Sequence, residues 1–168
     1  RLNGMVGFYY LDASADTLFD TRIFTTLSGL TAFTNAQVDT KTYAVFGDFT
    51  YDITDQFSLS VGGRYTWDRR SADIFRQSYL GGGSPFFGGL GVALGAPGTD
   101  FVGNASFNKF TPRVSLSYRP NRDHNIYASF SQGFKGGGFD PRGAGVNAPA
   151  AIPGRPTNAE VASFLSFR

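Results

Sequence analysis

Residues 57–68 alternate without a break. Phe57, Leu59, Val61, Gly63, Tyr65 and Trp67 fall on one side, and Ser58, Ser60, Gly62, Arg64, Thr66 and Asp68 on the other. Successive side chains of a strand point to opposite faces, so this period-2 pattern specifies a β-strand with one apolar and one polar face. Three further stretches repeat it. Phe110, Pro112, Val114, Leu116 and Tyr118 oppose Thr111, Arg113, Ser115, Ser117 and Arg119. Tyr43, Val45, Gly47, Phe49 and Tyr51 form a third apolar face, and Ile126, Ala128, Phe130, Gln132 and Phe134 a weaker fourth. Another strand is expected over residues 2–11, its register blurred by Phe8-Tyr9-Tyr10-Leu11, and a last one is expected to start near Glu160.

The connections differ in length. Residues 52–56 and 120–125 read as tight turns, with Asp, Asn and Pro supplying the turn chemistry. Residues 12–37, 71–106 and 140–157 read as long loops, the middle one rich in Gly and carrying Pro85 and Pro97. The fold class expected is all-β, an antiparallel up-and-down meander of about six strands. Short turns at one end and long loops at the other are also the pattern of outer-membrane barrels. A tilted strand crosses a bilayer with only ~9–11 residues, and each of the four clear strands is that long. Their aromatics lie toward the ends (Phe49, Tyr51, Phe57, Tyr65, Trp67, Tyr118, Phe134), where interfacial girdles would put them.

Composition narrows the function classes. Lys and Arg number 15 against 13 Asp and Glu, a balance that makes no electrostatic case for nucleic acid. The absence of cysteine excludes disulfide frameworks, thiol nucleophiles and zinc–thiolate sites. His124 is the single histidine, so no His-rich metal cluster is possible. No apolar run reaches the ~18 residues of a membrane helix. Aromatics make up 16% of the chain, too many for a disordered one. Phe leads the large apolar residues and is scattered among Gly, Ser and Thr, unlike the aliphatic core of an ordinary soluble domain. The chain opens at Arg1 with no apolar leader, so a mature form or an internal piece is expected.

Two stretches carry a resemblance. The first is Phe110-Thr-Pro-Arg-Val-Ser-Leu-Ser-Tyr-Arg-Pro120, followed by Asn125-Ile-Tyr-Ala-Ser-Phe-Ser-Gln-Gly-Phe-Lys-Gly-Gly-Gly-Phe139 and Pro141-Arg-Gly143. The second is residues 43–66, Tyr-Ala-Val-Phe-Gly-Asp-Phe-Thr-Tyr-Asp-Ile-Thr-Asp-Gln-Phe-Ser-Leu-Ser-Val-Gly-Gly-Arg-Tyr-Thr. In order and spacing they resemble the barrel domain of TonB-dependent outer-membrane receptors. The resemblance implies a closed barrel of about 22 strands around an N-terminal plug. It also implies energy delivered through TonB and a scarce ligand, with a ferric siderophore expected first and haem, cobalamin or an oligosaccharide as other members of the class. About six strands, with no plug and no TonB-box segment, mark the chain as an expected internal fragment, or a truncated copy, of such a barrel. The segment near Glu160 matches the family poorly, since Leu165 follows Phe164, and the end at Phe167-Arg168 is not the usual terminal aromatic. A passive porin-like channel and a soluble β-sandwich binding module are the alternatives.

Candidate residues follow from the faces. Asp48, Arg64, Asp68, Arg113 and Lys135 sit on the polar face and are expected to line the lumen, paired with neighbours, plug or water. Arg69, Arg70 and Arg76 flank the start of a long loop, where guanidinium forks can take an anionic ligand or lipopolysaccharide phosphates. Tyr79, Phe86 and Phe87 lie in the Gly-rich loop, placed to stack on a ligand ring or on neighbouring loops. Gly136-Gly-Gly138 lacks the spacing and helix of a phosphate loop. His124 lies in a tight turn with no serine set to partner it, so no catalytic residue, metal or cofactor is expected. The partners expected are outer-membrane lipid and lipopolysaccharide, a plug domain, TonB and a small ligand.

Overall fold

The structure is a computed structural model that describes residues 1–24, 29–143, 145–150 and 156–167. Six strands form one antiparallel sheet: β1 (Leu2–Phe24), β2 (Leu30–Asp52), β3 (Phe57–Leu80), β4 (Val92–Ala93), β5 (Thr99–Asn121) and β6 (His124–Ser131). Their order is β1-β2-β3-β5-β6, a meander, with β4 pairing off the end of β3 at Tyr79↔Ala93 and Leu80↔Val92. A separate pair joins β7 (Gly138–Phe139) to β8 (Ser166–Phe167), and one helix, α1, spans Asn158–Leu165.

Both tight turns form as expected. Thr54 closes the first: its Oγ1 accepts from the Gln56 and Phe57 N–H groups at 3.2 and 3.0 Å, while the Ile53 N–H donates to the Phe57 carbonyl at 2.9 Å. The second shrinks to Arg122-Asp123, with Asn121 Oδ1 accepting from the Asp123 N–H at 3.2 Å.

The long connections are corrected. Most of residues 12–37 and 71–106 is strand: β1 continues to Phe24, β2 starts at Leu30, β3 continues to Leu80 and β5 starts at Thr99. Strands of 23 or 24 residues are about twice what a bilayer needs. Within 12–37, residues 25–28 lie outside the description, as do 144 and 151–155 within 140–157, and Arg168. The strand expected from Glu160 is instead α1. Thr157 and Glu160 form a capping box, the Thr157 hydroxyl accepting from the Glu160 N–H and the Glu160 carboxylate accepting from the Thr157 N–H. β6 stops at Ser131, so Phe134 and Lys135 lie beyond it.

The residues cluster into two compact units. Unit 1 is Arg1–Asp12, Lys41–Arg69 and Ser106–Gly136; unit 2 is Ala13–Thr40, Arg70–Ala105 and Gly137–Arg168. Unit 2 holds a water-excluded core of Ala36, Ala72, Ile74, Phe101, Phe139, Ala148, Val161 and Leu165. Unit 1 holds none: Ala44 is its single buried hydrophobic side chain.

In unit 2 the segment after β3 turns through Gly81, Gly82 and Gly83, with φ of +95°, +133° and +88°. It makes one 3₁₀ turn at Pro85–Phe87 and closes on itself through Gly89 N–H to the Ser84 carbonyl at 2.8 Å and Gly91 N–H to the Gly83 carbonyl at 3.0 Å. A Cβ on Gly89 would sit 2.5 Å from the Gly83 carbonyl carbon. Backbone at that distance has to move. Gly89→Ala is therefore expected to loosen this loop by about 1–3 kcal/mol. Hydrogen exchange should show faster amides over residues 84–91 and unchanged amides in β2.

Candidate membrane wall and loop platform

In unit 1 the register sorts side chains into rows. Backbone hydrogen bonds join Arg1 to Asp52 in both directions, which sets Tyr10 opposite Tyr43 and Asp12 opposite Lys41. The Tyr10 and Tyr43 rings lie 5.0 Å apart, and Lys41 Nζ is 3.4 Å from Asp12 Oδ2. Thr50 and Ser60 hydroxyls meet at 2.8 Å and Thr42 Oγ1 donates to Asp68 Oδ1 at 3.1 Å, which sets Tyr43 opposite Trp67. Phe57 stacks on Tyr118 at 4.3 Å, and Tyr118, Leu116 and Val114 face Ile126, Ala128 and Phe130.

One face of unit 1 is thereby continuous and apolar. It carries Val6, Phe8 and Tyr10 on β1, residues 43–51 at odd positions on β2, and 57–67 at odd positions on β3. Even positions 110–118 of β5 and Ile126, Ala128 and Phe130 of β6 complete it. No Asp, Glu, Lys or Arg interrupts it. Its side chains are nonetheless open to solvent, with Val45 at 46%, Val61 at 47% and Phe130 at 65% exposure. Phe57 to Trp67 spans ten residue steps, which at about 3.3 Å per residue and a tilt near 40° is about 25 Å of height. That equals the apolar band of an outer-membrane barrel, and a charge at its middle would cost about 2–4 kcal/mol.

The other face is polar and internally paired. Arg113 Nη1 lies 3.8 Å from Asp48 Oδ2. Arg64 donates from Nε to Thr66 Oγ1 at 3.0 Å and rests its guanidinium 4.9 Å from the centre of the Tyr9 ring. Asp68 accepts from Thr42. Met5, Phe46, Asp48, Gly62, Arg64 and Arg113 line a shallow notch of about 490 Å³. Four of the five polar-face candidates thus share one strand face; Lys135 does not, because β6 ends four residues before it. Met5, Tyr9 and Phe46 were not anticipated there, being apolar residues on the polar face.

Unit 2 redistributes the loop candidates. Tyr79 is a buried strand residue opposite Ala93, not a loop aromatic. Arg76 donates from Nη1 to the Arg142 carbonyl, a structural use. Arg70 is half-buried, while Arg69, which belongs to unit 1, is exposed. Phe86 and Phe87 are well exposed yet seated: Phe86 stacks on the fully buried Phe33 at 4.2 Å and 7°, and Phe87 meets the same ring edge-on at 6.3 Å. Asp20 Oδ2 accepts from the Ser84 N–H at 3.1 Å and pins the loop. Phe33 and Asp20 escaped sequence reasoning because residues 12–37 carry no alternation there; Thr31-Ala32-Phe33-Thr34 is buried on both faces. Phe33→Ala should cost about 3–5 kcal/mol, as loss of a buried ring does. Phe86→Ala should cost only about 0.5–1.5 kcal/mol, the worth of a stacked pair. Denaturant unfolding of the two variants checks the difference.

The comparisons with known proteins agree with this geometry. No solved structure matches the chain. The family model described as TonB dependent receptor-like, beta-barrel matches residues 1–162, nearly all of the 168. A two-faced meander with an uncharged band of bilayer height is what a stretch of such a barrel requires, and the chain belongs to the TonB-dependent receptor-like β-barrel family of outer-membrane transport proteins.

Proposed function

We propose that unit 1 is a stretch of the wall of a TonB-energised uptake receptor in the outer membrane of a Gram-negative bacterium. Its uncharged face meets lipid, and its paired polar face meets the lumen. The observation that carries this is the missing core: a sheet with a continuous apolar face and one buried hydrophobic side chain needs an apolar medium outside the protein. A sandwich module would bury that face against a second sheet. Among the described residues β1 and β6 are each paired on one side only, so the wall continues into further strands, and the meander is part of a larger closed barrel around a plug.

The ligand we infer is a ferric siderophore. Phe86 and Phe87 offer exposed ring faces on a loop pinned to β1, and aromatic stacking on a planar ligand needs such rigid rings. The test is uptake of radioactive ferric siderophores by iron-starved cells with the gene intact or deleted. Energised uptake should vanish on deletion and on loss of TonB. Uptake that survives loss of TonB would instead indicate a passive channel, and undiminished uptake after deletion would remove the siderophore assignment.

A further inference from the structure

β6 stops short of its own sequence pattern. The alternation Ile126, Ala128, Phe130, Gln132, Phe134 runs on, yet the strand ends at Ser131. The register is fixed up to the break, with Val114 opposite Phe130 and Arg113 opposite Ser131. One more bond forms, from the Gln132 N–H to the Pro112 carbonyl at 3.0 Å. Pro112 has no N–H to return, so this rung carries one bond in place of two. Beyond it, residues 133–137 hold no regular structure.

The same register, continued, sets Phe134 opposite Phe110 and Lys135 opposite Lys109. Alternate residues of an antiparallel strand turn their peptide groups to the same neighbour. Phe110, like Pro112, therefore points its N–H and carbonyl toward the β6 side, where no strand of the described residues reaches it. Pairing with Phe134 would supply two backbone hydrogen bonds and an aromatic pair on the uncharged face, where the Phe110 ring is now exposed. The next position opposes this. Lys109 and Lys135 would lie directly across a strand pair on the polar face, and like charges there repel.

The neighbouring groups do not relieve the two lysines. Arg119 donates its N–H to the Gln56 carbonyl at 2.7 Å, and Thr111 Oγ1 donates to the Arg64 carbonyl at 3.2 Å. That register sets Thr66 opposite Lys109, with Arg64 and Asp68 on its diagonals. Asp68 is buried and accepts from Thr42, and Asp48 is taken by Arg113. Lys109 and Lys135 are exposed, and neither has an ion pair or hydrogen bond among the described residues. With Lys135 in place, Arg64, Lys109, Arg113 and Lys135 would stand against Asp48 and Asp68 on this part of the polar face.

We propose that Lys109 and Lys135 form a site for a multivalent oxyanion, a polycarboxylate or a phosphate, and that the bound anion zips Gln132–Lys135 onto β5. This rests on the reading of the sheet as a wall whose apolar face meets lipid and whose polar face meets water. Two ammonium groups on neighbouring strands grip one anion through charged hydrogen bonds, and the anion cancels their repulsion. The Phe110–Phe134 rung then closes beneath it and satisfies peptide groups that lipid cannot. The two lysines come together only in the zipped state, so the anion shifts the balance toward it.

Residue-resolved amide hydrogen exchange on the full chain in phosphatidylcholine nanodiscs tests this. The probes are citrate, inorganic phosphate, and sodium chloride at matched ionic strength. The proteins compared are the native chain, the Lys109→Gln/Lys135→Gln double variant, and Lys135→Glu. An anion at ten times its Kd should slow the Phe110 and Phe134 amides of the native chain about 10-fold, and sodium chloride should not. Slowing by citrate alone assigns a polycarboxylate, and by phosphate alone a phosphate. Exchange in the double variant should ignore both anions. Lys135→Glu meets Lys109 with the opposite charge, so its two amides should be slow without any anion and gain nothing from one. Unchanged Ile126 and Ala128 amides mark an intact β6 in each variant. Native amides that no anion slows, or that sodium chloride slows equally, would overturn the site, and so would an anion effect that persists in the double variant. Trp67, the single tryptophan of the chain, separates the two levels of the claim through quenching by brominated phosphatidylcholine. Quenching without any anion effect refutes the oxyanion site alone; no quenching refutes the wall reading and the site with it.

Discussion

Everything in unit 1 depends on one constraint: from Phe57 to Trp67 and along the strands beside them, one side of its sheet carries no charge, and among the described residues most of its large side chains stay exposed. Backbone groups are satisfied strand to strand, so the sheet itself tolerates an apolar medium. The side chains of the uncharged face require one, because more than fifteen aromatic and aliphatic positions on it stay open to the surroundings. The polar groups are on the opposite face, where Asp48 meets Arg113, Thr42 meets Asp68 and Arg64 meets Thr66. The Asp48–Arg113 ion pair is partly exposed and adds little to stability, about 0–1 kcal/mol, whereas Thr42–Asp68 is a buried hydrogen bond. The position of these groups matters more than the ion pair itself: an Arg or Lys moved to the middle of the other face costs about 2–4 kcal/mol.

Unit 2 solves the same problem differently. Its strands carry Ala36, Ala72, Ile74 and Phe101 under a cover drawn from its own segments, Phe139, Val161 and Leu165. Phe33, one strand position out of phase with Ala36, is covered by Phe86 and Phe87. A loop seated by aromatic contact, glycine turns and one carboxylate is held by few interactions.

The parts of the fold that were legible in the sequence are those where one face is apolar and the other polar. Residues 57–67, 110–118 and 43–51 announced both their strands and their faces, and Thr54, Asn121 and Asp123 announced the turns between them. Past Tyr10, Tyr43, Trp67 and Phe110 the alternation fades, because Ser, Thr, Asp, Asn and Gly occupy both faces. The strands continue there, held by backbone pairing that leaves no trace in hydropathy. Residues 158–165 were misread for the opposite reason. Their apolar residues suit a strand, and the decisive signal, Thr157 followed three residues later by Glu160, is local capping chemistry. The polar-face residues were legible singly, but their pairing needed the register.

The lipid-facing assignment is tested most directly by its period. The chain contains no cysteine, so each introduced cysteine is a unique labelling site. Spin labels placed one at a time at residues 57–68 of the full chain in bilayers report collisions with oxygen, which concentrates in lipid, and with a water-soluble nickel chelate. Oxygen accessibility should peak at Leu59, Val61, Gly63 and Tyr65 and nickel accessibility at Ser58, Ser60, Gly62 and Arg64, with the two profiles out of phase by one residue. Uniform nickel access at both sets of positions would mean that water covers both faces, and the sheet would not be a membrane wall.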